Sequence, residues 1–381
     1  YIAVPLDIAK MEISDKEVSY DWFSDEETLR LVSNKIAAKI NNAQKPVILG
    51  DLLVKRFDSR IEYKEFVEKT RIPTTNFLMG TNLIDMDYDL YLGGYYAGFE
   101  NPTAEKYVNE TDCLIAVGPV YTDLNAFGFN LPYKINNQIA IYGTHTYVDG
   151  EKYDNVKMSD VLEAVTKLVD SKDMKILKPA IGYEHKASSP DALTSEYIYP
   201  RLQEFIKDND IIVAETGIIP HGVAPMKFPA AAELQTQTLW GSIGWATPAA
   251  LGVCLAKPKS RVILITGEGS HQLTAMEIGN MLRRGVKPIA RVFEGDVWST
   301  KVSTADDFDK ALKVTQIMNK MCYIEICTEA MDMPKLTQDL IANFKSKAPK
   351  IEAVKKEEPV KLENSGSMAF ETTVHKGFSE D

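Results

Sequence analysis

The sequence is poor in cysteine, in long apolar runs and in basic residues. Its 381 residues include only four cysteines, with no Cys-x-x-Cys pair and no histidine at the spacing of a zinc site. This pattern predicts buried thiols in a reducing compartment. No apolar run approaches about 18 residues, the length that a transmembrane helix needs, so we expect no association with a membrane. The four cysteines are Cys113, Cys254, Cys322 and Cys327.

The shortage of positive charge bears on partners and location. The chain has 43 lysines and arginines against 54 aspartates and glutamates, which gives a formal net charge of −11. A surplus of negative charge repels a phosphate backbone, so we expect no nucleic acid partner. The N-terminus lacks a basic stretch followed by an apolar block, which argues against a secretory signal and favours a cytoplasmic protein.

The sequence does contain a repeated alternation of helices and short apolar strands. Apolar residues recur at helical spacing from about Glu26 to Ala43, after a Ser24–Glu27 pair that has the form of a capping box. The run Pro46–Gly50 follows at once and is typical of a parallel strand that is covered on both faces. Similar runs occur at residues 113–118, 138–143, 211–214, 261–265 and 321–326.

This alternation predicts an α/β protein with two doubly wound parallel-sheet domains. The first domain covers residues 25–170, a linker covers 171–193, and the second domain covers 194–344. The charged segment 345–381 has no apolar periodicity, so we expect a disordered tail there. Residues 1–24 open without Met and are typical of the end of a preceding domain, which suggests a fragment.

The segment most informative about chemistry follows the strand at 261–265. Gly267-Glu268-Gly269-Ser270 places two glycines at a strand-to-helix turn, where backbone amides can approach a phosphate and the helix N-terminus supplies positive potential. The acid between the glycines can hold a divalent ion that bridges to the phosphates. The motif alone is more often an ordinary tight turn between a strand and a helix.

Three segments in order resemble the thiamine diphosphate-dependent 2-oxo acid decarboxylases of the pyruvate/indolepyruvate decarboxylase type. Ala214–Gly217 is similar to the first cofactor-contacting turn of that family, Leu239–Gly244 to its LWGSIG turn, and Gly267–Thr274 to its GDGS-x-QLT segment. The resemblance covers roughly residues 1–344. It implies a middle domain followed by a diphosphate-binding domain, with thiamine diphosphate and Mg²⁺ as cofactors.

The resemblance also implies roles for single residues. Thr216 would contact the diphosphate region, the Gly241 backbone would bond the aminopyrimidine, and Ile243 would be the apolar wedge beneath the cofactor. A β-branched side chain suits a wedge because it is stiff at χ1. Metal binding would fall to Glu268 and Gly295. The implied cofactor-binding residues are Glu215, Thr216, Gly241, Ser242, Ile243, Gly267, Glu268, Gly269 and Ser270.

The sequence departs from the family at the metal site and in the catalytic region. The family has Asp at the position of Glu268, whose extra methylene moves the carboxylate about 1.5 Å further along and would strain an octahedral magnesium site. The family's asparagine pair falls at Glu294-Gly295, so we expect an internal deletion near residues 289–298. This reflects either an excised segment or gene-model error, or an evolved pseudoenzyme. We assign no catalytic residue, and we expect His221 and His271 to be structural.

Three functions stay open on the sequence alone. The first is the intact parent enzyme, which would convert a 2-oxo acid such as pyruvate or indolepyruvate to an aldehyde and CO₂ as a homodimer or homotetramer. This chain would be inactive alone, because the family's N-terminal pyrimidine-binding domain, which supplies a glutamate from the neighbouring subunit, would precede Tyr1. The second is a regulatory partner of a complete paralogue, and the third is an acetolactate synthase-like enzyme.

Overall fold

Helices and strands alternate along the described part of the chain. The computed structural model describes residues 22–97, 99, 101–127, 138–184, 193–286 and 297–347. It confirms the α/β class, because most neighbouring strands are parallel and are joined through helices. The strands are β1 (Pro46–Gly50), β2 (Thr74–Asn76), β3 (Tyr91–Gly94), β4 (Cys113–Val117), β5 (Gln138–Ile141), β6 (His145–Val148), β7 (Glu151–Asp154), β8 (Ile211–Ala214), β9 (Glu233–Thr236), β10 (Val262–Ile265), β11 (Val297–Val302) and β12 (Met321–Ile326).

The helices occupy most of the intervals between these strands. They are α1 (Glu26–Asn42), α2 (Leu52–Arg56), α3 (Arg60–Thr70), α4 (Pro102–Glu110), α5 (Met158–Leu168), α6 (Ser195–Phe205), α7 (Ile219–Val223), α8 (Ala246–Ala256), α9 (Glu268–Gln272), α10 (Met276–Arg283), α11 (Ala305–Ile317) and α12 (Lys335–Lys347). None of the described helices is long and apolar enough to cross a membrane.

The first half of the chain forms a seven-stranded sheet in the order β3-β2-β1-β4-β5-β6-β7. Strands β1 to β5 are parallel. The apolar runs predicted β1, β4 and β5, whereas β2 and β3 were not predicted. Ile48 of β1 packs in one core with α1, α3 and α5, while Val47 and Leu49 pack in another with α4. Burial on both faces explains why β1 is continuously apolar.

Two features of this region differ from the sequence prediction. Strands β6 and β7 form an antiparallel hairpin at the sheet edge, and their half-exposed residues gave no continuous apolar run. The capping prediction at Ser24 was wrong. Asp25 is the N-cap of α1, where its carboxylate accepts from Thr28 N at 2.8 Å, because Ser24 Oγ instead donates to Asp160 Oδ2 at 2.6 Å.

The second half of the chain forms a parallel sheet in the order β10-β8-β9 and a parallel pair of β11 and β12. Its strands β8, β10 and β12 lie where the apolar runs predicted them. Residues 171–184, in the expected linker, form neither helix nor strand. The division into domains at 25–170 and 194–344 stays a prediction, and the expected tail at 345–381 lies outside the described residues beyond Lys347.

Side chains of the first sheet region bond directly to backbone of the second. Lys55 Nζ donates to Leu234 O at 3.3 Å, and Tyr96 Oη donates to Ala224 O at 2.8 Å. Asn82 Nδ2 donates to Pro229 O at 3.1 Å. One apolar cluster also includes residues from both regions. The two sheets therefore share a packed and hydrogen-bonded boundary.

Candidate functional site

The candidate site lies where β8 and β10 end. These strands are parallel neighbours, with Ala214 paired to Ile265. Residues that follow them therefore leave the sheet at the same edge. Two of the three predicted segments, Ala214–Gly217 and Gly267–Thr274, are brought together in this way.

The third predicted segment, Leu239–Gly244, leads into α8 through the turn at 241–246, and this turn lies against both of the others. A Cβ placed on Gly241 would be 3.7 Å from Thr216 Oγ1, and one placed on Gly244 would be 3.2 Å from Ser270 O. Gly244 has φ of +87°, a left-handed conformation that favours glycine. The structure therefore places the nine predicted cofactor-binding residues in one group of turns.

Buried hydrogen bonds hold this group of turns in place. Glu215 is fully buried, and its Oε2 accepts from Gly244 N and Ala246 N, each at 3.1 Å. Thr274 Oγ1 donates to Gly244 O at 2.8 Å. His271 and Thr247 pair through Nδ1 and Oγ1 at 3.1 Å, so His271 joins α9 to the start of α8. Sequence reasoning did not identify Thr274 or Thr247, although Thr274 belongs to the QLT segment.

The outer side of the turns is open. A Cβ placed on Gly217, Gly267 or Gly269 would meet no heavy atom within 4 Å outside its chain neighbours. Glu268 and Gly269 are exposed, whereas Thr216, two residues after the end of β8, is buried. Backbone that is bare of side chains next to a helix start is suited to the close approach of an anionic group.

Large apolar side chains are exposed on these turns and on the segments next to them in sequence. Trp240 is 87% exposed and Met276 is 67% exposed, while Ile243 and Leu273 are each more than half exposed. Exposed apolar groups that adjoin in this way are typical of a surface that another molecule covers. We call these four residues the apolar rim.

Behind the same turn lies a cavity of about 230 Å³. Its lining includes Thr266–Glu268, residues of β10 and β12, and the side chains of Phe205 in α6 and Phe308 in α11. Its lining is mainly apolar, so it offers few groups that could hold a phosphate. The open glycine turns, and not this cavity, therefore form the candidate anion site.

The predicted metal ligands are only partly described. The Glu268 carboxylate is exposed and accepts a hydrogen bond from Gln272 Nε2. Gly295 lies outside the described residues, as does most of the expected deletion near 289–298. In the part of the chain that the structure describes, no cluster of three or more His, Cys, Asp or Glu could hold a metal ion.

His221 lies beside the site in α7, where it faces the last helix. Its Nδ1 is 3.0 Å from Thr337 Oγ1, and its ring centroid is 6.0 Å from that of Phe127. Burial lowers the pKa of His221 to about 4, so the ring is neutral near pH 7. These contacts favour a structural role for His221 over a ligand contact.

Comparisons with known proteins agree with this geometry. The family model for the thiamine pyrophosphate enzyme central domain matches residues 33–168, and the model for the C-terminal TPP binding domain matches residues 220–360. The first range contains the seven-stranded sheet. The second contains two of the three turns and the described helices α8 to α12.

Several curated proteins are similar in sequence. A pyruvate decarboxylase from Kluyveromyces lactis is 32% identical over 281 residues, which cover 72% of this chain and 50% of that protein. Pyruvate decarboxylase isozyme 1 from Saccharomyces cerevisiae is 31% identical over 309 residues, which cover 78% of this chain and 55% of that protein. The chain therefore spans about half the length of the curated relatives it matches.

A solved structure shares the fold. It belongs to a protein from Mycobacterium smegmatis that is described as a thiamin diphosphate-dependent enzyme. The TM-score is 0.61 at 20% sequence identity, and the match covers 84% of this chain and 67% of the other. At this identity the likeness supports the architecture and says nothing further about activity.

Proposed function

The chain belongs to the thiamine pyrophosphate enzymes, and on this premise we propose that its group of turns binds the diphosphate end of thiamine diphosphate. The observation that carries the proposal is the convergence of three glycine-containing turns, at 215–217, 241–246 and 266–270, on one open face. The parent protein would be a decarboxylase of a 2-oxo acid such as pyruvate or indolepyruvate. The similar pyruvate decarboxylases support this reaction class.

The residues present fit the cofactor's anionic end. Amides at Gly267–Ser270 begin a helical segment, and no side chain fills the space over Gly267 or Gly269. Thr216 would offer its hydroxyl at the floor of the same face. Ile243 and Ser242 are exposed on the adjoining turn, as an apolar wedge and a polar neighbour would need to be. When bound, thiamine diphosphate supplies the electron sink that allows a 2-oxo acid to lose CO₂ non-oxidatively and yield an aldehyde.

The described residues offer fewer groups for Mg²⁺ than for the diphosphate. Magnesium takes six oxygen ligands at about 2.0–2.1 Å in near-ideal octahedral geometry. At the turns, the described residues offer one exposed carboxylate, Glu268, and that side chain already bonds Gln272. We therefore propose that Glu268 holds Mg²⁺ weakly, with Gly295 as a further ligand, and we build no catalytic step on the metal.

We further propose that this chain binds the cofactor without turnover. Among the described residues at the open face, Glu268 is the one exposed acid, and the proposal above assigns it to Mg²⁺. Glu215 is buried under three backbone N–H groups and leaves no other acid for proton transfer. General acid or base catalysis needs a group within hydrogen-bond reach of the reacting atoms. A chain that positions the cofactor but offers no such group would bind and not react.

The working enzyme would be a cytoplasmic homodimer or homotetramer. The apolar rim supports an oligomer, because a neighbouring surface could cover its side chains. Four free cysteines, three of them buried, suit a reducing compartment.

The same rim also favours a second candidate function. The chain would then be a non-catalytic partner of a complete relative, which would supply the covering surface. This proposal differs from the first in requiring a second protein. An acetolactate synthase-like reaction is a third proposal, and its product distinguishes it from an aldehyde-forming enzyme.

A fluorescence titration tests the proposal on this chain. Trp240 is 87% exposed on the turn, so binding of thiamine diphosphate should change its emission in a saturable manner. A Trp240→Phe variant should lose the signal and keep the binding. No saturable change in the folded wild type would contradict the proposal.

Product analysis then distinguishes the candidates. Pyruvate and indolepyruvate would be incubated with the chain alone and with the chain mixed with a complete pyruvate decarboxylase. We expect no aldehyde from the chain alone. A changed rate in the mixture would favour the partner function, whereas acetolactate from the chain would contradict the decarboxylase proposal.

A further inference from the structure

Glu215 belongs to the predicted cofactor-binding set, yet the structure leaves none of its surface exposed. Its Oε1 accepts from Thr216 N at 3.0 Å, and its Oε2 accepts from Gly244 N and Ala246 N at 3.1 Å each. Both oxygens are therefore engaged with backbone. A ligand on the open face of the turns would not touch this side chain.

We propose that Glu215 is a positioning residue, which fixes the shape of the turn at 241–246 so that the turn can hold the cofactor. The inference rests on the proposed function, since that proposal assigns the turn to the cofactor. It changes the expected role of Glu215 from a ligand contact to a support that acts through Gly244 and Ala246.

The turn needs such a support because its backbone is intrinsically free. Gly241 has φ of +60° and Gly244 has φ of +87°, and glycine adopts these values about as readily as their mirror images. The local sequence therefore does not select one conformation of the turn. Hydrogen bonds to a carboxylate are roughly twice as strong as those between neutral groups, so Glu215 can make the selection.

Gly244 is held from two sides. Its N–H donates to Glu215 at the end of β8, and its C=O accepts from Thr274 Oγ1 at 2.8 Å. A Cβ on Gly244 would meet Leu273 Cβ at 3.0 Å and Ser270 O at 3.2 Å, so the turn rests directly on the diphosphate segment. If Glu215 released the turn, the two halves of the candidate cofactor site would lose their fixed separation.

The test compares buried carboxylates at the two ends of β8. Asp210 precedes this strand, is also buried, accepts from Lys207 N at 2.7 Å and pairs with Arg261. Asp210→Asn is the matched control for Glu215→Gln, because it alters a buried carboxylate that bonds backbone at the opposite end of β8, far from the turn. In Glu215→Gln one amide oxygen can still accept, while the amide NH₂ opposes a backbone N–H.

Two readouts would be taken with both variants fully folded. Hydrogen exchange followed by mass spectrometry should show the amides of residues 241–247 exchanging about tenfold faster in Glu215→Gln, and unchanged in Asp210→Asn. The dissociation constant of thiamine diphosphate should rise about tenfold in Glu215→Gln and stay within about twofold in Asp210→Asn. In Glu215→Ala, both the exchange rates at 241–247 and the dissociation constant should rise further than in Glu215→Gln.

The two readouts separate this inference from the proposed function. If the wild type does not bind thiamine diphosphate, the proposed function fails, while the exchange rates still decide whether Glu215 holds the turn. Unchanged exchange at 241–247 in folded Glu215→Gln would overturn the inference. Equal losses of affinity in Glu215→Gln and Asp210→Asn would overturn it as well, because they would show a general effect of stability.

Discussion

At the scale of single residues, buried polar side chains link the turns of the candidate site, and exposed side chains are accessible to a ligand. Glu215, His271 and Thr274 bond across segments that are distant in sequence. Glu268 is exposed, and the described partner of its carboxylate is Gln272 on the same short helix. We therefore expect the buried residues to respond to mutation through stability and shape, and Glu268 through ligand binding.

Glu268→Asp should improve magnesium-dependent binding. The shorter side chain draws the carboxylate back towards the turn and away from Gln272. The affinity for thiamine diphosphate in the presence of Mg²⁺ should rise by about tenfold, the equivalent of one hydrogen bond to a charged group. Calorimetric titration with and without Mg²⁺ measures this change, and Glu268→Gln, which has no charge, should show no magnesium dependence. An equal affinity of Glu268→Asp with and without Mg²⁺ would contradict the prediction.

His221 should make the protein sensitive to acid. Burial lowers its pKa in the folded state to about 4, from an ordinary value of 6.5. As the pH falls, His221 takes up a proton in the unfolded chain before it does so in the folded protein. The contribution of neutral His221 to the free energy of unfolding is therefore complete above pH 6.5 and is lost as the pH drops towards 4. The total loss is about 3 kcal/mol. Urea unfolding of wild type and His221→Gln between pH 7 and pH 4.5 measures it.

The comparison with His221→Gln is needed because Asp51 acts in the opposite direction. Burial raises the pKa of Asp51 to about 7, so this group favours folding as the pH falls through the same window. Asp51 is present in both proteins, and its contribution cancels in the difference between their profiles. A difference in unfolding free energy that does not change with pH would contradict the role given to His221.

At the scale of elements, a positive φ and close packing favour glycine over any other residue at position 244. Alanine there would hold φ near +87° and would place its Cβ 3.0 Å from Leu273 Cβ. We expect Gly244→Ala to lower the free energy of unfolding by about 1–3 kcal/mol. Chemical denaturation monitored by circular dichroism measures this change.

Gly252 provides the matched control for Gly244. It lies within α8, and a Cβ placed on it meets no heavy atom within 4 Å. Gly252→Ala should raise the free energy of unfolding by about 0.5–1 kcal/mol, because alanine loses less conformational entropy in a helix. If both substitutions shifted stability by the same amount, the strain assigned to Gly244 would be wrong.

Elements with continuous apolar runs could be predicted from the sequence, and those without such runs could not. The strands at Pro46–Gly50 and Ile211–Ala214 were predicted at their observed bounds, because strands buried on both faces need apolar residues at every position. The hairpin of β6 and β7, the short polar β2 and the half-exposed β11 were missed. In these strands partner strands, and not local composition, decide the conformation.

The candidate site, too, could be predicted from the sequence only in part. Its position at the ends of β8 and β10 could be predicted, because parallel strands direct their carboxyl ends to one edge. The role of Glu215 could not be predicted, since its partners Gly244 and Ala246 lie 29 and 31 residues away. Asp25 was missed as the N-cap because Ser24 is an equally suitable capping residue by sequence. Ser24 bonds Asp160, which is 136 residues away, and the sequence does not show this contact.

At the scale of the whole molecule, the last helix joins the two sheet regions. Leu336 and Leu340 of α12 pack in one cluster with Leu78 and Phe127 of the first region and Ala224 of the second. Burial of these groups couples the two regions, because a loss of packing in the cluster affects both. We therefore expect the described regions to unfold in one transition.

Leu336→Ala tests this coupling. Leu336 is fully buried, so its truncation should cost about 2–5 kcal/mol, whereas Ile341→Ala on the more exposed side of the same helix should cost much less. Hydrogen exchange should show that amides in β1 and in β8 lose protection together in Leu336→Ala. Loss of protection in β8 alone would show that the two sheets are stable independently.

The central claim is that the converging turns recognise the diphosphate end of thiamine diphosphate. Calorimetric titration of the folded wild-type chain with thiamine diphosphate, and in parallel with thiamine, tests it most directly, because the two ligands differ only in the diphosphate. We predict saturable binding of thiamine diphosphate at one site per chain and no measurable binding of thiamine. Equal binding of both ligands, or binding of neither, would contradict the account.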